Sequence, residues 1–308
     1  MDKHFVWLDC DTGTDDAAAI LCANALPELE IVGISAVAGN VEIEKTYLNV
    51  FRLNRLMGTD YPVYRGAAKP WNRELETGYR YHGENGLGGI ELPLPENRKM
   101  TDEPAWDALY RTAKTYAGAL ELIATGPLTN IATALVKYAD LPQYLRRIVI
   151  MGGSATYGNR TPAAEYNIYA DPHAAKVVFD AGIPLTMCGL DVTLQAVFHA
   201  EDLDAVADCG RPVAKFFRDS LQTPLSTQEG GTGVKLHDVC AVLYAARPEL
   251  FDGRPAGVRV ETRGSFTNGM TVTDLWSDAK FDTQNAFVVL KLDQKRFVQT
   301  VSELIRSY

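Results

Sequence analysis

The chain has 308 residues, enough to bury an extensive core in one large α/β domain or two smaller ones. Its formal net charge of -9 and pI near 5.1, with Lys and Arg scattered, argue against nucleic acid or any other polyanion as partner. No apolar run approaches the roughly 20 residues that span a bilayer, so no membrane association is expected, and Met1-Asp2-Lys3-His4 leading straight into an apolar strand reads as a mature cytoplasmic chain.

In chain order, Phe5–Leu8 reads as a strand, Asp15–Ala25 as a helix and Ile31–Val37 as a second strand. Further strands are expected at Ala119–Ala124, Arg147–Ile150 and Pro184–Cys188, with helices near 43–57, 104–117, 128–138, 172–181 and 238–246. This alternation predicts an α/β fold with an open, mostly parallel sheet and helices on both faces. Near the end, Gly257–Glu261 and Ala286–Leu290 read as strands with no helix between them, which fits a hairpin-like addition and makes the sheet mixed. No linker, repeat or low-complexity tract interrupts the chain, so 1–308 reads as a single domain.

Ligands of open parallel sheets bind beyond the carboxyl ends of the strands, so the polar residues following each strand are the informative ones. They are Asp9, Asp11, Asp15 and Asp16; then Gly39-Asn40; then Thr125-Gly126-Pro127; then Met151-Gly152-Gly153. Carboxylates crowded on one turn repel each other and raise their pKa values unless a cation or hydrogen-bond donors compensate. Asp15-Asp16 alone reads equally well as an acidic helix start, but Asp11 at the strand end and Gly13 in the turn shift the balance towards an oxygen-ligated cation. The loop is not an EF-hand, since Thr14 and Ile20 stand where that loop needs Gly and Glu.

Other metal chemistries lack their residues. The five cysteines form no CxxC pair and the five histidines no HxxxH or HExxH pair, so a bound metal would rest on carboxylates. His237-Asp238 just before a helix reads on its own as an ordinary helix start. Within 158–167, Glu165 and Asn167 would share one face if the segment is extended, an arrangement that suits sugar hydroxyls.

Together these segments resemble the inosine–uridine nucleoside hydrolase family, whose hallmark Asp-x-Asp-x-x-x-Asp-Asp turn stands here as Asp9-Cys10-Asp11-Thr12-Gly13-Thr14-Asp15-Asp16. The likeness continues in order through Val37–Asn40, His82–Gly88, Ala124–Asn130, Met151–Gly153, Glu165–Ile168, His237-Asp238 and Gly269–Asp274. The resemblance implies a Rossmann-like nucleoside hydrolase fold and cleavage of the N-glycosidic bond of ribonucleosides, purine or pyrimidine, to free base and ribose. It implies calcium held by the carboxylates of Asp11, Asp16 and Asp238 and the carbonyl of Thr125. Asp15, Asn40, Met151, Asn159, Glu165, Asn167 and Asp238 would hold the ribose. Calcium would orient and help deprotonate a water, with Asp11 as proton acceptor, and His237, or secondly His82, would protonate the departing base. The resemblance also implies a homodimer or homotetramer.

Two departures stand out. Thr12 replaces a common Pro, and Leu221–Gly233 has no aromatic residue where relatives often place one near the base, leaving Tyr79, Tyr81, Tyr157 or Tyr166 to stack on it. Two rivals exist: a haloacid dehalogenase-type phosphatase with Asp9 as nucleophile, Asp11 as acid and magnesium as cofactor, and a non-catalytic nucleoside-binding protein. The phosphatase also needs a later Lys and an acidic pair, for which the chain has no convincing counterparts.

Overall fold

The computed structural model describes residues 3–227 and 233–308. The stretch 228–232 of the aromatic-free segment, like Met1-Asp2, lies outside the described residues.

The strands are β1 (His4–Cys10), β2 (Leu29–Ala36), β3 (Val63–Arg65), β4 (Leu120–Ala124), β5 (Leu145–Met151), β6 (Leu185–Cys188), β7 (Val197–His199), β8 (Gly233–Lys235), β9 (Phe251–Val260), β10 (Thr271–Asp274) and β11 (Ala286–Leu292). The helices are α1 (Thr14–Ala25), α2 (Ile43–Met57), α3 (Tyr79–His82), α4 (Ala105–Tyr116), α5 (Thr129–Lys137), α6 (Tyr166–Ala170), α7 (Pro172–Phe179), α8 (Leu190–Thr193), α9 (Ala200–Ala207), α10 (Pro212–Ser220), α11 (Gln222–Thr227), α12 (His237–Ala246) and α13 (Gln294–Arg306).

Nine strands form one sheet in the order β10-β9-β11-β6-β5-β4-β1-β2-β3, and β7 pairs with β8 in a separate antiparallel ribbon. From β6 to β3 every pairing is parallel, while β9 runs antiparallel to both β11 and β10. The expected hairpin-like addition is therefore present, with β9 between its two neighbours and β10 at the outer edge. The chain winds outwards from β1 to β3, then returns to place β4 on the other side of β1. That reversal puts a crevice at the carboxyl ends of β1 and β4, where such sheets bind ligands.

Side chains of β1 alternate between two cores. Val6, Leu8 and Cys10 join a cluster with α1, α2, α9, α10, α12 and α13, whereas Trp7 joins one with α4, α5 and α7. Burial on both faces explains why the central strands read as continuous apolar runs rather than alternating ones. Helices α9, α10 and α13 are absent from the sequence-based expectation. For α13 the signal was available, since Phe297, Val301, Leu304 and Ile305 make a buried stripe at helical spacing. Among the described residues, no helix is long and apolar enough to cross a membrane.

Candidate active site

The turn after β1 enters α1 through Gly13, and Asp16 closes it by accepting the Gly13 N–H at 2.8 Å. Asp16 thus is the helix cap that the sequence allowed, but it does more. Its carboxylate also accepts from Asn40 Nδ2 at 3.0 Å and from Thr125 Oγ1 at 2.7 Å, tying the ends of β1, β2 and β4 together. Asp11 accepts the Asn40 N–H on Oδ2 at 2.7 Å, and its Oδ1 is buried without a partner. Gly39 is required beside it, because a Cβ there would sit 2.1 Å from Asp11 Oδ2. Asp15 likewise has a buried oxygen, Oδ1, with no hydrogen bond.

Asp238 comes from a distant part of the chain, in the first turn of α12. Its carboxylate and those of Asp15 and Asp16 offer oxygens within 4.8 Å of one another, close enough for one metal ion. Burial first, and then the neighbouring acids, hold Asp11 and Asp238 well above the usual carboxylate range. Asp16 is pushed up to about 6 by burial and by Asp15. Such a cluster is expensive without a cation, and buried oxygens lacking partners are what a hard, oxygen-ligated ion satisfies. The residues present therefore fit a hard metal cation held by oxygen ligands.

A cavity of about 580 Å³ opens at these acids. One side carries Asp15, Asn40, Thr125, Met151, Asn159, Glu165, Asn167 and Asp238, which include all the residues expected to hold ribose. Asp11 and Asp16 are fully buried behind this wall, 1% and 0% exposed. Glu165 and Asn167 meet there by a different route from the one expected. Glu165 is extended but Asn167 is helical: Glu165 caps α6, accepting from Asn167 N at 2.9 Å and Ile168 N at 3.2 Å, because its carboxylate satisfies the free N–H groups of the first turn. Burial, opposed by these N–H groups, pushes Glu165 up to about 7. Asn167 Nδ2 donates to the carbonyls of Thr125 at 2.7 Å and Met151 at 3.1 Å. Asn159 Oδ1 accepts the Tyr166 N–H at 2.9 Å.

His82 and His237 both line the cavity. The Thr14 backbone N–H donates to His82 Nδ1 at 3.1 Å, so the neutral ring carries its proton on Nε2. Burial lowers His82 to about 4 and also lowers His237, whose Nδ1 lies 2.8 Å from Thr193 Oγ1.

The opposite wall is made by Tyr81, by Leu221 and Pro224 of the segment expected near the base, and by Thr77, Arg80, Leu194, Val234 and Lys235, which sequence reasoning missed. Leu194 had a signal, since it follows β6 as the other site segments follow their strands. The rest lie in or beside α3 and β8, elements of four and three residues that are too short to show a periodicity. Of the four tyrosines proposed to stack on a base, Tyr81 and Tyr166 line the cavity. Tyr79 instead turns to Glu42 and Lys45, and Tyr157 lies outside the lining. Asp9 is also outside: it accepts from Ser35 Oγ and, at 2.8 Å, from Asn130 Nδ2, which bind it between β2 and α5.

An α/β sheet wound in this order, with an acid cluster at its switch point and a cavity above it, defines the class of α/β proteins that bind a small ligand at the carboxyl ends of their strands. The model of the inosine-uridine preferring nucleoside hydrolase family matches residues 6–299, and the chain belongs to that family. Similar curated proteins are the pyrimidine-specific ribonucleoside hydrolases RihA of Citrobacter koseri, 42% identical, and of Escherichia coli, 41% identical, each alignment covering 98% of both chains. Among solved structures, a purine-preferring ribonucleoside hydrolase from Gardnerella vaginalis superimposes with a TM-score of 0.92 at 33% identity, covering 98% of both chains. An inosine-uridine preferring nucleoside hydrolase from Bacillus anthracis, 20% identical, shares the fold with a TM-score of 0.82 over 100% of both chains. The chain is accordingly a nucleoside hydrolase.

Proposed function

We propose that this enzyme hydrolyses ribonucleosides to free base and ribose with calcium as its metal and Asp11 as the proton acceptor. The observation that carries this reading is the partnerless Oδ1 of Asp11, buried at the switch point with Asp16 and Asp15 as its neighbouring charges, although the oxygens within 4.8 Å of one another are those of Asp15, Asp16 and Asp238. Asp11, Asp16, Asp238 and the Thr125 carbonyl would hold the ion. When bound, calcium supplies a Lewis acid that makes water a better nucleophile near neutral pH.

The remaining chemistry belongs to the chain. Asp15, Asn40, Met151, Asn159, Glu165, Asn167 and Asp238 grip the ribose and fix its anomeric carbon against the attacking water. Asp11 takes the proton of that water as the C–N bond loosens. The transition state gains positive character on the sugar, and the surrounding carboxylates favour that charge. His237 delivers a proton to the leaving base, with His82 as the second donor through its Nε2–H. Asp9 has no such role, because Ser35 and Asn130 hold it away from the cavity.

The names of the 41–42% identical relatives favour pyrimidine nucleosides as substrates. A cytoplasmic setting, one domain over 1–308 and a homodimeric or homotetrameric assembly complete the proposal. One assay tests it: uridine, inosine and a phosphate monoester are offered with and without calcium, and base, reducing sugar and phosphate are measured. Base and sugar released from uridine in a calcium-dependent way are expected. Phosphate without base, or binding of nucleoside without turnover, would overturn the reading.

A further inference from the structure

The segment Gly269–Asp274 has no place in the chemistry described so far, yet it reaches the site. Thr271, on the edge strand β10 and only 2% exposed, grips one peptide of the loop that follows β5. Its hydroxyl accepts the Ser154 N–H at 2.8 Å and donates to the Ser154 carbonyl at 2.7 Å. A β-branched side chain has little rotamer freedom, so holding both polar groups of one residue fixes that residue's orientation.

The next residue back transmits the hold. Gly153 turns the chain with φ of 75°, and a Cβ there would meet Met187 Sδ and Thr271 at 2.9 Å. Its N–H donates to Glu165 Oε2 at 2.9 Å, while its carbonyl accepts from Leu190 N at 2.9 Å. Glu165 in turn sets Asn167 through the Asn167 N–H. On the far side of Ser154, Asp191 accepts from Ala155 N at 2.7 Å and Thr156 Oγ1 at 2.8 Å. The loop is thus pinned twice, and the pin nearer the site comes from the antiparallel extension of the sheet.

We propose that Thr271 is a positioning residue: its hydroxyl orients the Gly153–Ser154 turn so that Glu165 and Asn167 face the ribose. This rests on the nucleoside reading above, in which those two residues grip the sugar. A side chain acting this way governs substrate geometry, and small misplacements at a reacting centre are costly.

The test compares steady-state kinetics and melting temperature of the full chain with saturating calcium, for wild type, Thr271→Ser and Thr271→Ala. Wild-type turnover of uridine or inosine is established first; its absence removes the nucleoside reading itself. With turnover present, Thr271→Ala is expected to raise the nucleoside KM about tenfold, and Thr271→Ser, which keeps the hydroxyl, to restore it. A lower melting temperature with KM unchanged, or equal KM values for the Ala and Ser variants, would overturn the role of Thr271 alone. Thr271→Val, which preserves the side-chain volume, repeats the comparison should the cavity left by Ala prevent folding.

Discussion

The acid-lined side of the cavity hangs from the carboxyl ends of β1, β2, β4 and β5 in the middle of a nine-stranded sheet. The opposite wall is assembled from α3, the residue after α8, Leu221 and Pro224 at the start of α11, and β8 of a separate two-stranded ribbon. Strand ends in a buried sheet are placed by many register contacts at once, so they cannot drift individually. Short surface elements have no such restraint and tolerate changes in length and residue type. Demanding chemistry therefore suits the first side and discrimination between substrates the second. Relatives with such different names as pyrimidine-specific and purine-preferring both align over 98% of this chain.

The widest gap between the two sides should appear on removing the metal. A chelator is expected to reduce base release to background, with recovery on adding calcium. Melting temperature should fall as well, because an ion at a hundred times its Kd contributes about 2.7 kcal/mol to the folded state. Activity that survives chelation would break the assignment of the acid side to metal chemistry.

Replacing the proton acceptor comes next. Asp11→Ala is expected to lower kcat by roughly 10²–10⁴-fold, the range for losing a general base, with circular dichroism unchanged. A smaller loss would move the role to another acid.

Changes on the opposite wall should be milder and selective. Val234→Ala or Leu221→Ala is expected to shift the ratio of kcat/KM for uridine over inosine by about tenfold, leaving the calcium requirement intact. Equal losses for both substrates would mean that this wall does not choose the base.

The smallest effect is expected at Asp9. Asp9→Asn keeps the shape and an acceptor for Asn130, so kcat should change by less than about tenfold while stability falls by about 1–3 kcal/mol. Complete inactivation would restore Asp9 as a nucleophile.

The acid side was legible because its residues follow a rule that needs no coordinates: polar groups directly after parallel strands converge on one rim. Asp11, Asn40 and Thr125 obey it, and Met151 stands at the same rim as the last residue of β5. Glu165 and Asn167 do line the cavity, but by another geometry than the one expected, since helix capping rather than an extended face brings them together. Tyr79 shows the opposite failure: the absence of an aromatic residue from Leu221–Gly233 suggests it as a base contact, but a hydrogen bond to Glu42 turns it away.

The sequence by itself determined the strand and helix rhythm, the acid turn and the family likeness, because these depend on local pattern and on spacing along the chain. Only the tertiary structure could decide that Asp238 joins Asp15 and Asp16, that Asp9 belongs to the sheet rather than the cavity, and that Thr271 holds Ser154 from 117 positions away. Each of those facts is a contact between residues far apart in sequence, created when the sheet brings distant strands into register. Sequence pattern fixes which way a side chain faces within its element, but not which distant side chain it meets.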